Sequence, residues 1–260
     1  MIRYLLTGLA LLVTGSIYGQ VVNTEKLRTQ HKEEGWFFDI SANISLTQNK
    51  AGRNLSSNAR LRTEYLKGKH KYLLFGSASL GQFQNVYDST ALPSNWLNNR
   101  FVHLRYNYTV GPRITMEAFT QLQYDQIQEI RMRFLNGVGP RVALLSNDTA
   151  SLYLGALYMF EYEETTDTQP LTYNRDHRLS TYVSGGFRIK NYLAFNHISY
   201  YQPSLSDVGD FRVSSESTIS VKITQALSFD TYFQFIYDSR PPETVPSVMY
   251  SSRSGLTMSF

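Results

Sequence analysis

The sequence predicts an all-β chain: a transmembrane, antiparallel up-and-down β-barrel of about twelve strands, of the outer-membrane type. Three observations point there. From Trp36 onward, apolar and polar residues alternate over runs of roughly ten positions or more, the period of a strand with one face against an apolar medium. The connections between runs alternate in length, as in barrels with tight turns on one side and longer loops on the other. The chain ends on Phe260, closing a run in which Leu256, Met258 and Phe260 point one way and Gly255, Thr257 and Ser259 the other. A terminal aromatic on a period-2 strand marks the barrel-closing strand of outer-membrane proteins.

The first residues read as an export signal. Arg3 precedes an apolar stretch from Tyr4 to Val13, then small and polar residues to Gly19 and Gln20, the pattern of a secretory signal peptide over residues 1–19. That apolar stretch is far shorter than the roughly 20 residues of a spanning helix. Residues 20–35 carry Glu25, Lys26, Arg28, Lys32, Glu33 and Glu34 with little apolar periodicity, and read as a charged periplasmic segment. The barrel is then residues 36–260. The absence of cysteine excludes a disulfide framework and a lipid-modified N-terminal cysteine. The mean hydropathy of −0.30 suits a barrel in which every second residue meets lipid. A formal charge of +4, spread along the chain, leaves no nucleic-acid footprint. The partners expected are outer-membrane lipids and, during insertion, the barrel assembly machinery.

The first run sets Trp36, Phe38, Ile40, Ala42, Ile44 and Leu46 against Asp39, Ser41, Asn43, Ser45 and Thr47. The second sets Leu55, Ala59, Leu61 and Tyr65 against Asn58, Arg60, Arg62 and Glu64. Later runs repeat the pattern: Val102, Leu104, Tyr106 and Tyr108 against His103, Arg105 and Asn107, then Leu152, Leu154, Ala156, Tyr158, Phe160 and Tyr162 against Tyr153, Gly155 and Glu161. Such lengths match a tilted membrane crossing and exceed the five or six residues usual in globular sheets. Tight turns are expected at Lys67–His70, Gly111–Arg113, Ser146–Thr149, Lys190–Tyr192 and Thr224–Ala226. Longer polar links are expected at Gln48–Asn54, Asn85–Asn99, Glu164–Asp176, Pro203–Gly209 and Ser239–Ser247, with one short exception at Gln126–Glu129.

A soluble barrel turned inside out would alternate in the same way. Strand length, Phe260 and the aromatics grouped at Trp36–Phe38, Tyr106–Tyr108, Tyr158–Tyr162 and Tyr200–Tyr201 favour the membrane. The chain resembles the salt-induced outer-membrane protein family, a group carrying a domain of unknown function. The resemblance rests on FLNGVGPR at Phe134–Arg141, LYLGALYMFEYEE at Leu152–Glu164, DFR at Asp210–Arg212, YDSRPP at Tyr237–Pro242 and the terminal GLTMSF. VNTEKLR at Val22–Arg28 is similar to the N-terminal segment of its members. The last strand departs from the pattern by beginning VMYSSR, without an acidic residue. The resemblance implies an outer-membrane barrel linked to salt or osmotic response; it supplies no reaction.

With the apolar face outward, charges of both signs line the lumen. Folding about the tight turns sets Arg105 near Glu117, Arg133 near Glu161 and Glu163 with Arg131 one pair further out, and Arg212 near Asp238. Opposite charges across strands stabilise a sheet by a few tenths to about 1 kcal/mol each. They serve either as a salt-bridged filling or as the lining of a narrow pore. The chain is thus read as a non-catalytic envelope barrel, structural or conducting small solutes. The alternative is a lipid hydrolase. His197 and Ser199 form an H-x-S pair that resembles the arrangement of an outer-membrane phospholipase, with His as base and Ser as nucleophile. The Asn-Gly that follows Ser in that motif is Tyr200-Tyr201 here, and Ser214 and Ser215 fall across the hairpin where an orienting Asn is needed. His31, His70, His103, His177 and His197 are dispersed without metal-ligand spacing, so neither metal nor cofactor is expected. Gly137-x-Gly139-Pro140 lies inside a strand pattern and reads as a bend or bulge. Asp88, Asp167, Asp176 and Asp207 are expected in outer loops as solvated charge.

Overall fold

The computed structural model describes residues 34–50, 52–85, 93–166, 172–190 and 192–258. The expected leader, most of the charged segment, and Ser259 and Phe260 lie outside the described residues. Twelve strands follow one another: β1 (Gly35–Asn49), β2 (Gly52–Lys67), β3 (His70–Gln84), β4 (Ser94–Thr109), β5 (Ile114–Asp125) and β6 (Ile130–Ser146). The second half comprises β7 (Ala150–Thr165), β8 (Thr172–Ile189), β9 (Leu193–Pro203), β10 (Phe211–Lys222), β11 (Leu227–Asp238) and β12 (Val248–Met258). They form one antiparallel sheet in chain order, with no helix among the described residues.

The sheet curls around an interior, as the right-handed twist of long strands requires. Tyr182 on β8 donates to Glu117 on β5 at 2.7 Å, and Arg212 on β10 reaches Glu161 on β7 at 2.5 Å. Thr244, between β11 and β12, donates to Glu129 in the β5–β6 turn. Contacts between strands so far apart in order place their inward faces opposite one another, and the fold is an up-and-down β-barrel. Among the described residues β1 and β12, the two ends of the strand order, share no ladder.

All five expected tight turns lie at one end of the barrel. At the other end the links after β1, β3 and β7 are shorter than expected, while those after β9 and β11 have the expected length. Gln48, Asn49 and Gly52 to Asn54 stay in the β1–β2 ladder, which leaves a two-residue connection. Asn95, Asn98 and Asn99 belong to β4, while Thr172 to Asp176 belong to β8. Polar composition suggested loops there, but a ladder needs only backbone donors and acceptors and continues past the apolar stretch. Gly137–Pro140 is not a bulge either. The β6–β7 register is unchanged from Val138↔Tyr158 to Arg141↔Gly155, and shifts only at Ile130/Met132 and Ala143/Leu145. The glycines provide clearance instead. A Cβ on Gly139 would stand 2.2 Å from the Ala156 carbonyl, and one on Gly137 2.2 Å from the Phe119 ring.

The two faces differ as alternation requires. On β7, Leu157, Met159 and Glu161 point inward and are buried, whereas Leu154 and Tyr158 point outward and are exposed. Outward aromatics gather near the tight-turn end, where Trp36 stacks on Phe38 and Tyr65, and Tyr72 meets Tyr106. A second group lies toward the opposite end, with Tyr158 by His177 and Tyr201 by Phe211.

Candidate functional site in the lumen

The inward face carries more than charge. A belt of apolar and aromatic side chains crosses the interior: Leu157 (β7), Tyr182 (β8), Ile198 and Tyr200 (β9) are buried against Phe119 (β5). Period-2 reading assigned only one face of β7 as apolar, yet Leu154 to Phe160 is apolar on both, and that run was the available signal. Glycines admit the rings. A Cβ on Gly155 would stand 2.1 Å from the Tyr182 ring, as one on Gly137 would from Phe119 at 2.2 Å. The belt is tied to polar neighbours. The Tyr182 hydroxyl donates to Glu117 at 2.7 Å, Arg105 reaches the same carboxylate at 3.5 Å, and His103 stacks on Phe119 at 5.4 Å. Only about 20 Å³ remains open among His103, Arg105, Phe119, Leu157, Tyr182 and Tyr200. Asn99, Asp125, Gln234 and Met249 border a further space of about 30 Å³. Each has room for a water or two. Along β1 the inward Asp39, Ser41 and Asn43 stay exposed.

Beyond the belt, toward the longer links, lies a buried charge network. Arg212 meets Glu161 at 2.5 Å, Asp238 at 2.9 Å and Glu163 at 3.5 Å. Arg178 meets Glu161 at 3.1 Å, and Asp176 and Asp210 at 3.0 Å each. Arg133 pairs with Glu163, its direct cross-strand partner, and lies 3.8 Å from Glu161. Glu161 therefore serves three guanidinium groups from β6, β8 and β10. Hairpin register found the Arg133 and Arg212 partners; Arg178 escaped it, because its contacts are a diagonal to Glu161 on β7, a same-strand neighbour in Asp176, and Asp210 in the β9–β10 link. Arg105 contacts Glu117 diagonally, since Asn107 stands directly opposite that carboxylate.

Arg131 requires a correction. The register shift at Ile130/Met132 turns its side chain out of the lumen, where it is 53% exposed and approaches Glu164 at 3.8 Å instead of the inner carboxylates. Asp176 likewise lies on β8 and not in a loop, paired with Arg178. Asp207 is a loop residue, and the Gly209 amide and Arg240 together hold its carboxyl below the usual range. Asp88 and Asp167 lie outside the described residues. No group of metal-ligating side chains occurs among the described residues.

His197 and Ser199 point outward on β9, hydrogen-bonded at 2.9 Å through Nε2. An orienting partner does exist: Nδ1 bonds Ser217 at 2.8 Å, while Ser199 also bonds Ser215 at 2.7 Å. Sequence reasoning had placed Ser214 and Ser215 across from His197; the register places Ser217 there. The backbone donors around this cluster are engaged in the β8–β9–β10 ladders, which leaves no free amide pair for an oxyanion. At the last strand, Leu256 and Met258 point outward and are 61% and 57% exposed.

The family model for DUF481, described as a protein of unknown function, matches residues 41–260. The chain belongs to the DUF481 family. No curated protein matches this DUF481 chain. Among solved structures it is similar to the NanC porin, at 10% identity over 86% of this chain and 99% of that one, with a TM-score of 0.44. The KdgM porin in complex with disordered oligogalacturonate aligns at 12% identity over 86% and 98%, TM-score 0.41. The translocator domain of the autotransporter NalP from Neisseria meningitidis aligns at 7% over 91% and 92%, TM-score 0.42. At these values the likeness is one of barrel form alone.

Proposed function

We propose that this DUF481 chain is a non-catalytic barrel of the bacterial outer membrane, with the tight turns toward the periplasm and an interior packed against steady solute flow. The belt of Phe119, Leu157, Tyr182, Ile198 and Tyr200, with space for only a water or two beside it, carries the reading. The apolar outward face and its two aromatic groups support the membrane assignment. A link to salt or osmotic response, implied by the motif resemblance, belongs to the same reading: a mechanically robust envelope barrel rather than a conduit.

The detergent-extracted protein should show a mobility shift between folded and boiled samples, and should give no steady channels in planar bilayers. Persistent single-channel currents from the wild-type protein would sink the closed reading and place the passage along β1. A second reading, lipid hydrolysis at His197 and Ser199, is favoured by their hydrogen-bonded geometry alone. The expected result is no phospholipid turnover by the wild-type protein. Turnover abolished by both His197→Ala and Ser199→Ala would establish the enzyme instead.

A further inference from the structure

The tight-turn mouth of the lumen has a charge balance opposite to that of the buried network. A cavity of about 450 Å³ opens there, lined by Arg188 of β8, Lys190 of the following turn, Lys222 and Ser220 of β10, and Asp230 of β11. Asp230 is the one carboxylate of this lining, and it accepts a hydrogen bond from Ser220 at 2.6 Å. None of the three cations makes an ion pair among the described residues. The contrast within one lumen is sharp: Arg178 and Arg212 meet three carboxylates each, and Arg133 meets two.

Unpaired cations at the mouth of a low-dielectric barrel concentrate positive potential in the cleft between them. A guanidinium offers two parallel donors to a phosphate, and the ammonium groups add point charges on flexible stems. The volume lies within the roughly 300–1,000 Å³ range of small-molecule sites. Several cations facing one acid match a compact, multiply charged anion better than a single carboxylate.

We infer that this cavity binds a polyvalent phosphate, either free or as the headgroup of an anionic lipid in the adjoining leaflet. The free-anion form requires only the lumen described above; the lipid form also rests on the membrane reading. Both hold whether or not the belt conducts.

Calorimetric titration of the full-length protein in zwitterionic detergent with sodium tripolyphosphate tests the site. Saturable binding is expected, weakening as salt rises. Arg188→Ala combined with Lys222→Ala should lower affinity about tenfold or more, the consequence of losing two charge-assisted contacts. Asp230→Asn should raise affinity, a gain that damage to folding would not produce. Arg240→Ala, at the opposite end and paired with Asp207, should leave binding unchanged. Absence of saturable binding, or an affinity indifferent to the double substitution and to Asp230→Asn, overturns the assignment. Reconstitution into phosphatidylcholine vesicles doped with cardiolipin or, at equal surface charge, phosphatidylglycerol identifies the source. Stronger competition by cardiolipin identifies the lipid headgroup, and equal competition the free anion.

Discussion

Glu161→Ala is expected to lower the stability of the detergent-solubilised barrel to urea by about 3 kcal/mol, the cost of removing the shared member of a buried ion-pair network. The expectation follows from position. Glu161 is 2% exposed and bridges Arg133, Arg178 and Arg212, so its removal breaks three buried contacts at once, although each arginine keeps at least one other carboxylate. Arg133→Ala should cost less, because Glu163 keeps a 3.5 Å contact with Arg212. Paired substitutions then separate the two carboxylates. Adding Glu163→Ala to Arg133→Ala should recover part of the loss, since each is the other's nearest partner. Adding Glu161→Ala should recover nothing, because Arg178 and Arg212 lose their shared anion. Strictly additive losses for Arg133 and Glu163 in a double-mutant cycle would mean that these side chains do not meet.

Steady conductance should appear when the belt is cut. Phe119→Ala with Tyr182→Ala removes two rings that lie against Gly137 and Gly155, which have no side chains to refill the space. The opening is lined on one side by Arg105 and Glu117, so water enters and ions can follow. Tyr182→Phe is the control: it loses the hydrogen bond to Glu117 but keeps the ring, and should stay as silent as the wild type. Planar-bilayer recordings on variants that still show the folded mobility shift decide the matter. A folded but silent double variant would locate the barrier elsewhere in the lumen.

Much of the charge network was legible in sequence because tight turns set hairpin register. The turn at Thr224–Ala226 places Arg212 opposite Asp238, and that at Ser146–Thr149 brings Arg133 to Glu163. The failures have local causes. Arg131 was carried into the lumen because a register shift leaves no mark on the alternation of its neighbours. The direct partner of Glu117 was missed because the turn centres on Pro112, with the Val110 amide donating to the Ile114 carbonyl, and this moves the partner by two positions from Arg105 to Asn107. Link lengths were overstated where Gln, Asn and Thr continue strands, as at Asn49↔Gly52, because ladder bonds depend on the backbone and not on side-chain polarity.

By itself, the sequence determined the number of strands, their antiparallel order and, Arg131 apart, which of the paired charges face inward. Those features follow from a period-2 backbone and short connections, both local properties of the chain. Only the tertiary structure decided what meets across the interior: Tyr182 on Glu117, Arg178 on Asp210, three arginines on Glu161, and cations left unpaired at the opposite mouth. Tyr182 and Glu117, and likewise Arg212 and Glu161, lie on strands that are not neighbours, and Asp210 lies in the link before β10. Their meeting depends on the curvature of the sheet, which belongs to the barrel as a whole and to no single strand or turn.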